Sequence, residues 1–498
     1  MDISQDFHQI VDQRLGDLRA SGLLREDLLL GGRWVPASSG ERLDVTNPAD
    51  GSVIASIACA TAEDAERAVE LAHQAMAEWS ARTATERADV LMKWHALLLE
   101  NIDDLAVLLT AEQGKPLAEA RGEISYSAAF VRWYAEEARR SYGDVIPTNR
   151  VGRRIFAIRQ PVGVVAAISP WNFPALMIAR KVAPALAAGC GVVLKPPSEA
   201  PLSAQALAEM GLRAGLPAGI FNVVHGYPEV VGPVLTKSHK VRMLTFTGST
   251  TVGKLLMEQC ASTVKRLALE LGGNAPFIIF EDADLDAAVR GAVESKFRNA
   301  GQTCVCTNRF LVHRSIRDDF VARFVEAIAT LEVGNGFEAG VTIGPLIDEA
   351  AVAKVQHHLS DATSLGARVV EGGHRHELGG TFFEPTVLID VDTSMEITTA
   401  ETFGPVAPFL TFDTEQEAVD LANSTESGLA AYFYTRDVGR VFRVSEALEF
   451  GVVGVNTGSI SYEGAPFGGV KESGLGREGS RHGLDEFTEL KYLCLEGI

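Results

Sequence analysis

From about residue 154 the chain alternates short apolar runs with longer amphipathic stretches. Ile155 to Gln160 reads as a strand, and Val162 to Ile168 is a short, continuous, β-branched run. Ala175 to Ala188 is helical by composition, Gly189 ends it, and Gly191 to Leu194 returns as a strand. The rhythm predicts a helix at Ser203 to Ala214, strands at Phe221 to Val224 and Val241 to Phe246, a helix at Thr250 to Ala261 and a strand at Val264 to Leu271. Buried strands alternating with helices predict a parallel sheet covered on both faces. Ligands of such sheets sit beyond the carboxyl ends of the strands, where the turns after Ile168, Leu194, Phe246 and Leu271 fall. Upstream, Thr61 with Asp64 resembles a capping box, and Ala65, Ala68, Ala72, Met76 and Trp79 recur at helical spacing. The first 25 residues are polar and periodic and predict one helix. A second α/β stretch runs from about 272 to 466, with helices expected at Leu285 to Arg298 and Arg317 to Leu331. The tail, Glu486 to Cys494, alternates weakly and predicts an edge strand, a natural place for subunit pairing.

The 498 residues suggest roughly three domains. Lysine and arginine number 45 against 65 aspartates and glutamates, a net charge of −20. Nucleic-acid binding needs a concentrated basic surface, so that role is not expected. No apolar run approaches the ~18 residues of a membrane span, and the acid-rich start reads as neither a signal nor a transit peptide. Six sparse cysteines fit a reducing cytoplasm with free thiols.

Four segments could carry chemistry. Phe297-Arg298-Asn299-Ala300-Gly301-Gln302-Thr303-Cys304-Val305-Cys306 places a cysteine on a loop after a helix. Taken alone, a cysteine is more often a small buried hydrophobe. Zinc is not expected, because no other Cys pair occurs and His313 alone completes no tetrahedron. Glu270 interrupts an apolar strand before Gly272-Gly273-Asn274; it is either salt-bridged or poised as a base with a raised pKa. Phe246-Thr247-Gly248-Ser249-Thr250 joins a strand end to a helix start, where free N–H groups favour phosphate, although the spacing is not GxGxxG. Lys195 closes a buried strand and could reach a ribose or a phosphate, or could simply be solvated.

The combination is more specific than its parts. Pro170-Trp171-Asn172-Phe173-Pro174, Lys195-Pro196, Phe246-Thr247-Gly248-Ser249-Thr250, Glu270-Leu271-Gly272-Gly273-Asn274, Gly301-Gln302-Thr303-Cys304, Glu401-Thr402-Phe403-Gly404-Pro405 and Pro466-Phe467-Gly468-Gly469-Val470-Lys471 occur in this order. The chain thereby resembles the aldehyde dehydrogenase superfamily from about Leu29 to Leu495. The resemblance implies an α/β chain with a Rossmann-like cofactor domain (1–140 and 160–271), an α/β catalytic domain (272–483) and a small β oligomerisation element (141–159 and 484–498). It implies a homodimer or homotetramer acting on a small molecule, without nucleic acid, membrane or metal.

By the same resemblance Cys304 is the nucleophile, Asn172 and the Cys304 N–H hold the oxyanion, and Glu270 activates water. Ser169, Trp171, Asn172, Lys195, Ser198, Gly248, Ser249, Leu271, Glu401 and Phe403 match cofactor positions. NAD-preferring relatives often carry glutamate three residues after the lysine. Ser198 stands there instead, so the expected cofactor is NADP, with NAD the weaker alternative. Gly-Gln-Thr-Cys-Val-Cys after Phe-Arg-Asn is similar to succinate-semialdehyde dehydrogenases, as is the tail Gly474-Leu475-Gly476-Arg477-Glu478. Arg180, Arg298 and Ser461 match the positions that grip a distal carboxylate there. Tyr462-Glu463-Gly464 departs from that pattern. Glutarate semialdehyde, one methylene longer, is the competing substrate. Cys306 matches a possible oxidative partner of Cys304. A coenzyme-A-dependent acylating relative would generally lack the Glu270 base, and a silent relative would lose the nucleophile.

Overall fold

The computed structural model describes residues 3–497. Its first sheet is built on five parallel strands: β1 (Val164–Ile168), β2 (Val192–Lys195), β3 (Phe221–Val223), β4 (Val241–Thr247) and β5 (Arg266–Glu270). They lie in the spatial order β5-β4-β1-β2-β3. The chain runs outward from β1 through β2 to β3, then returns to the other side of β1, which makes the β1/β4 boundary a topological switch point.

Alternation along β1 explains why both faces are covered. Val165 and Ala167 join one apolar cluster with α2 (Leu117–Ala138) and α3 (Pro174–Ala188). Val164 and Ala166 join another with α1 (Ala62–Ala81) and α4 (Thr250–Ala261). Helix α3 is buried along its whole length. Helix α1 starts with the expected capping box at Thr61 and Asp64, and its Ala65, Ala68, Ala72 and Trp79 are buried. Trp79 is closed off by donating its indole N–H to Leu186 O at 2.9 Å.

Three details differ from the pattern-based expectation. The sheet is mixed at its edges, where Leu28–Leu30 and Gly474–Leu475 pair antiparallel with β3 and β5. The second pairing crosses the expected boundary between the two large units. Strand β5 begins at Arg266 rather than Val264, because Val264 adopts φ 50° and stands in solvent. The N-terminal helix spans Ile3–Ser21, and Gly22 at φ 76° terminates it.

The second sheet contains β6 (Ala275–Ile279), β7 (Thr307–His313), β8 (Thr386–Ile389), β9 (Val406–Phe412), β10 (Ala430–Tyr434) and β11 (Val452–Val455), in the order β8-β9-β7-β6-β10-β11. All are parallel to their neighbours, and Arg368–Glu371 adds an antiparallel edge beside β8. Helix α5 (Leu285–Phe297) packs into its core. A third, three-stranded sheet joins Asp144–Ile146, Arg153–Pro161 and the C-terminal Thr488–Glu496. The last strand is an edge, two residues later than the tail pattern suggests, and presents Leu490 and Tyr492 to solvent. Among the described residues no helix is long and apolar enough to cross a membrane.

Candidate active site

The Cys304 loop leaves α5 through three consecutive left-handed residues, Asn299 (φ 52°), Ala300 (φ 55°) and Gly301 (φ 77°). Such a run is unfavourable for the two residues that carry a Cβ, so its surroundings must enforce it. The Asn299 N–H donates to Glu119 Oε2 at 3.0 Å, and its Nδ2 donates to Asn172 O at 2.9 Å. Gln302 Nε2 donates to Asn299 O at 3.1 Å, while Gln302 Oε1 accepts the Ile347 N–H at 2.9 Å. At Gly301 a Cβ would lie 2.3 Å from Gly404 O, so only glycine fits.

The same close packing brings the other expected residues in. At Gly273, just beyond β5, a Cβ would lie 2.5 Å from Cys304 O. The turn after Glu270 therefore presses directly on the cysteine's backbone. Asn172, in the turn after β1, is buried and donates one amide hydrogen through Nδ2 to Gln302 O at 2.9 Å. Its second amide hydrogen remains available beside Cys304, and both residues line one cavity of about 360 Å³.

Burial dominates the electrostatics. It pushes the Cys304 thiol up to about 12; Arg180 pulls the other way, while Glu401 and Glu270 add to the rise. Glu270 is buried, and desolvation together with Glu478 raises it well above the ordinary carboxylate range, against the pull of Arg180 and Lys181. Its Oε2 has no hydrogen-bond partner. Glu478 shows the opposite balance. Burial opposes its ionisation, but Lys181 and Arg180 outweigh that and hold it below the usual range. Lys181 Nζ donates to Glu478 Oε1 at 2.6 Å.

The cavity opens along the switch point. Trp171, Asn172, Gly248, Ser249, Leu271, Glu401 and Phe403, all expected at the cofactor, line it with Cys304 and Lys354. Ser249 caps α4, its Oγ accepting the Val252 N–H. A Cβ at Gly248 would strike the Phe246 ring at 2.3 Å, so the turn stays bare above the helix start. Trp171 and Phe403 meet edge-to-face at 5.6 Å. Glu401 accepts the Gly273 N–H at 3.1 Å, and burial raises it to about 7. The Ser169 and Thr247 hydroxyls are buried without partners. The orphaned Thr247 hydroxyl, a bare turn at a helix start and apolar walls suit a dinucleotide. Lys195 closes β2 and is buried, with Nζ donating to Pro196 O at 3.1 Å; Ser198 is exposed. Ser169, Lys195 and Ser198 lie outside the lining of this cavity.

Two of the three expected anion-binding residues meet. Arg298 Nη1 donates to Ser461 Oγ at 3.3 Å, and its guanidinium lies over the Phe173 ring at 5.2 Å. Arg180 instead faces Glu478, with Nε 2.7 Å from Oε2 but too poorly aligned for a hydrogen bond. Its Nη2 is buried without a partner. Cys306 is buried and donates to Lys296 O at 3.2 Å; both it and Cys304 are free thiols. Sequence reasoning missed the parts played by Lys181, Glu478, Lys115, Glu123 and Asn299. Glu478 and Asn299 stand inside quoted motifs, but nothing local marks their partners.

A sequence model of the aldehyde dehydrogenase family matches residues 34–493. The chain belongs to this family. Among curated aldehyde dehydrogenases it is 58% identical over 482 residues to the 3-sulfolactaldehyde dehydrogenase of Pseudomonas putida (97% of this chain, 99% of that one). It is 56% identical over 478 residues to the NADP(+) succinate-semialdehyde dehydrogenase of Escherichia coli K12 (96% and 99%). It is also 56% identical over 481 residues to the glutarate-semialdehyde dehydrogenase of Pseudomonas aeruginosa (97% and 100%). The crystal structure of succinate-semialdehyde dehydrogenase from Burkholderia pseudomallei superposes with a TM-score of 0.95 at 55% identity, covering 96% of this chain and 99% of that one.

The packing at Gly301 sets an expectation for this aldehyde dehydrogenase. Gly301→Ala adds a left-handed alanine and a backbone clash that displaces the Cys304 loop, and kcat should fall at least about 100-fold, the scale on which misplacing one preorganised donor acts. Steady-state assay beside thermal unfolding checks this; wild-type kcat in the folded variant would refute it.

Proposed function

We propose that the chain is an NADP-dependent dehydrogenase of short aldehydes bearing a distal anion, with succinate semialdehyde the best fit. The observation that carries this reading is Arg298. Among the described residues it has no acidic partner within 4.0 Å, it is already oriented on Ser461, and Arg180 offers a second, unpartnered buried N–H. A guanidinium with no ion-pair partner, outside the lining of the Cys304 cavity but near enough to act on the Cys304 thiol, favours a substrate that brings its own carboxylate.

In this reading the Cys304 thiol, held protonated by burial, passes its proton to the Glu270 carboxylate as sulfur adds to the aldehyde carbon, and Glu270 returns that proton to solvent before the next step. The free hydrogen on Asn172 Nδ2 and the Cys304 N–H receive the oxyanion. The bound nicotinamide supplies the hydride acceptor. Glu270 then takes a proton from water, which cleaves the Cys304 thioester and releases the carboxylic acid. Glu401, Phe403, Trp171, Leu271, Gly248, Ser249 and Ser169 hold the cofactor. Lys195 and Ser198 meet its adenosine end, where an exposed serine accepts a phosphate that glutamate would repel. The first sheet forms the cofactor unit and the second the catalytic unit. The small sheet, with Leu490 and Tyr492 exposed, pairs subunits into dimers or tetramers.

Glutarate semialdehyde and sulfonated aldehydes share the anionic end, and one methylene shifts selectivity by only about 1–3 kcal/mol. The deciding experiment is a kcat/KM panel of succinate semialdehyde, glutarate semialdehyde, 3-sulfolactaldehyde and an uncharged aldehyde of equal length, with both cofactors and no coenzyme A. The expected ranking puts succinate semialdehyde first and the uncharged aldehyde last. Arg298→Ala should remove most of that preference, and an unchanged ranking would overturn the anion grip. Ser198→Glu should move the cofactor ratio at least about tenfold toward NAD, the scale of one charge–phosphate contact; wild-type preference for NAD would reject the NADP assignment.

Because Glu270 must be ionised to act, and burial raises its pKa, kcat should climb with pH until that raised value is passed. Glu270→Gln should lose this limb and about 100-fold or more of kcat. A pH–rate profile with an unaltered limb would show that another group is the base. Oxidation of Cys304 by a peroxide to a sulfenic acid, followed by water loss to a Cys304–Cys306 disulfide, requires the Cys306 thiol to leave Lys296 O. Peroxide in excess should inactivate the enzyme and thiol reductant restore it, while in Cys306→Ala the unprotected sulfenic acid is oxidised by a second peroxide to the sulfinic acid and should not be restored; equal rescue of both would dismiss the pairing.

A further inference from the structure

The cavity does not hold Asn172 by itself. Its backbone carbonyl accepts two hydrogen bonds, from Asn299 Nδ2 at 2.9 Å and from Lys115 Nζ at 2.8 Å. Lys115 comes from the turn between two helices far up the chain and is fully buried. Its ammonium also touches Glu123 Oε2 at 2.5 Å and sits 3.8 Å from the centroid of the Phe173 ring. Glu123, on α2, spends its other oxygen on the start of α3: Oε1 accepts the N–H of Ala175 at 2.9 Å and of Leu176 at 3.1 Å.

One ion pair therefore grips both sides of the bend Asn172-Phe173-Pro174. Lys115 fixes the peptide before it, and Glu123 fixes the helix turn after it. A buried ion pair is a poor source of stability, because desolvating two charges offsets most of their attraction. It is a good source of geometry, because each charge has one low-energy place for its partner. Here that place sets the plane of the Asn172 peptide. The side chain is further constrained by Gln302 O, so a single amide hydrogen is left on the cavity lining that Asn172 shares with Cys304.

We infer that Lys115 and Glu123 are positioning residues for aldehyde oxidation, acting through Asn172; this rests on the assignment of Asn172 as oxyanion donor. Neither residue lines the cavity. Their removal changes the transition state and not the binding of either substrate.

Steady-state kinetics with succinate semialdehyde and NADP on full-length enzyme test it through a double-mutant cycle. Glu123→Gln keeps the shape and an acceptor oxygen for α3 but drops the charge; Lys115→Met drops the ammonium at similar volume. Each should lower kcat about 10–50-fold, below the ~100–1,000-fold worth of a whole oxyanion donor, with both KM values within about twofold. In an Asn172→Ala background the same substitutions should change kcat by less than about threefold. A full multiplicative loss in that background, or unchanged kcat in the wild-type background, overturns the inference while leaving the donor assignment intact. If Asn172→Ala alone leaves kcat unchanged, the donor assignment fails, and the inference with it. Thermal unfolding verifies that each variant is folded; if Lys115→Met is not, Glu123→Gln carries the cycle alone.

Discussion

Backbone resting on backbone, with no room for a side chain, is the constraint on which the site depends. It occurs where Gly273 meets Cys304 O and where Gly301 meets Gly404 O. The first contact locks the end of the cofactor-side sheet onto the cysteine loop. The second locks that loop onto the segment carrying Glu401 and Phe403. Cys304, Glu270 and Glu401 lie on different segments, yet their separations are set by contacts that have no rotamers to relax. The left-handed run Asn299 to Gly301 is the conformational cost of that registration.

Around this frame the molecule places charges where water cannot screen them. Glu270, Glu478, Arg180 and Lys181 lie close together in the interior, and the two cations act on the ionisation of both carboxylates. The balance is asymmetric. Two cations hold Glu478 charged, whereas Glu270, without a hydrogen-bond partner on one oxygen, is left easy to protonate. Two carboxylates in one apolar region thus acquire different working states, which is how a single site can hold a fixed charge and a mobile proton at once.

Much of this was legible in the chain. The alternation of apolar runs with helical stretches located β1 to β5, and the turns after Ile168, Leu194, Phe246 and Leu271 marked the ligand edge. Cys304 and Glu270 stood out because a small-residue loop and an acid in an apolar strand are locally odd. Arg298 and Ser461 could be paired only through resemblance, since 163 positions separate them. Lys115 and Glu123 left no trace, because a lysine and a glutamate eight residues apart look like any solvated helix start; only the fold shows that both are buried. Val264 was read into a strand since its side chain favours one, but a left-handed turn claims its backbone.

The short strand Gly474–Leu475, laid against β5, means that the surroundings of Glu270 are completed by a segment made long after Cys304. Cys304 and Glu270 are synthesised long before Glu478 can pair with Arg180 and Lys181. The nascent chain therefore carries Cys304 and Glu270 before their charged surroundings are complete, and the site is whole only once that later strand has docked.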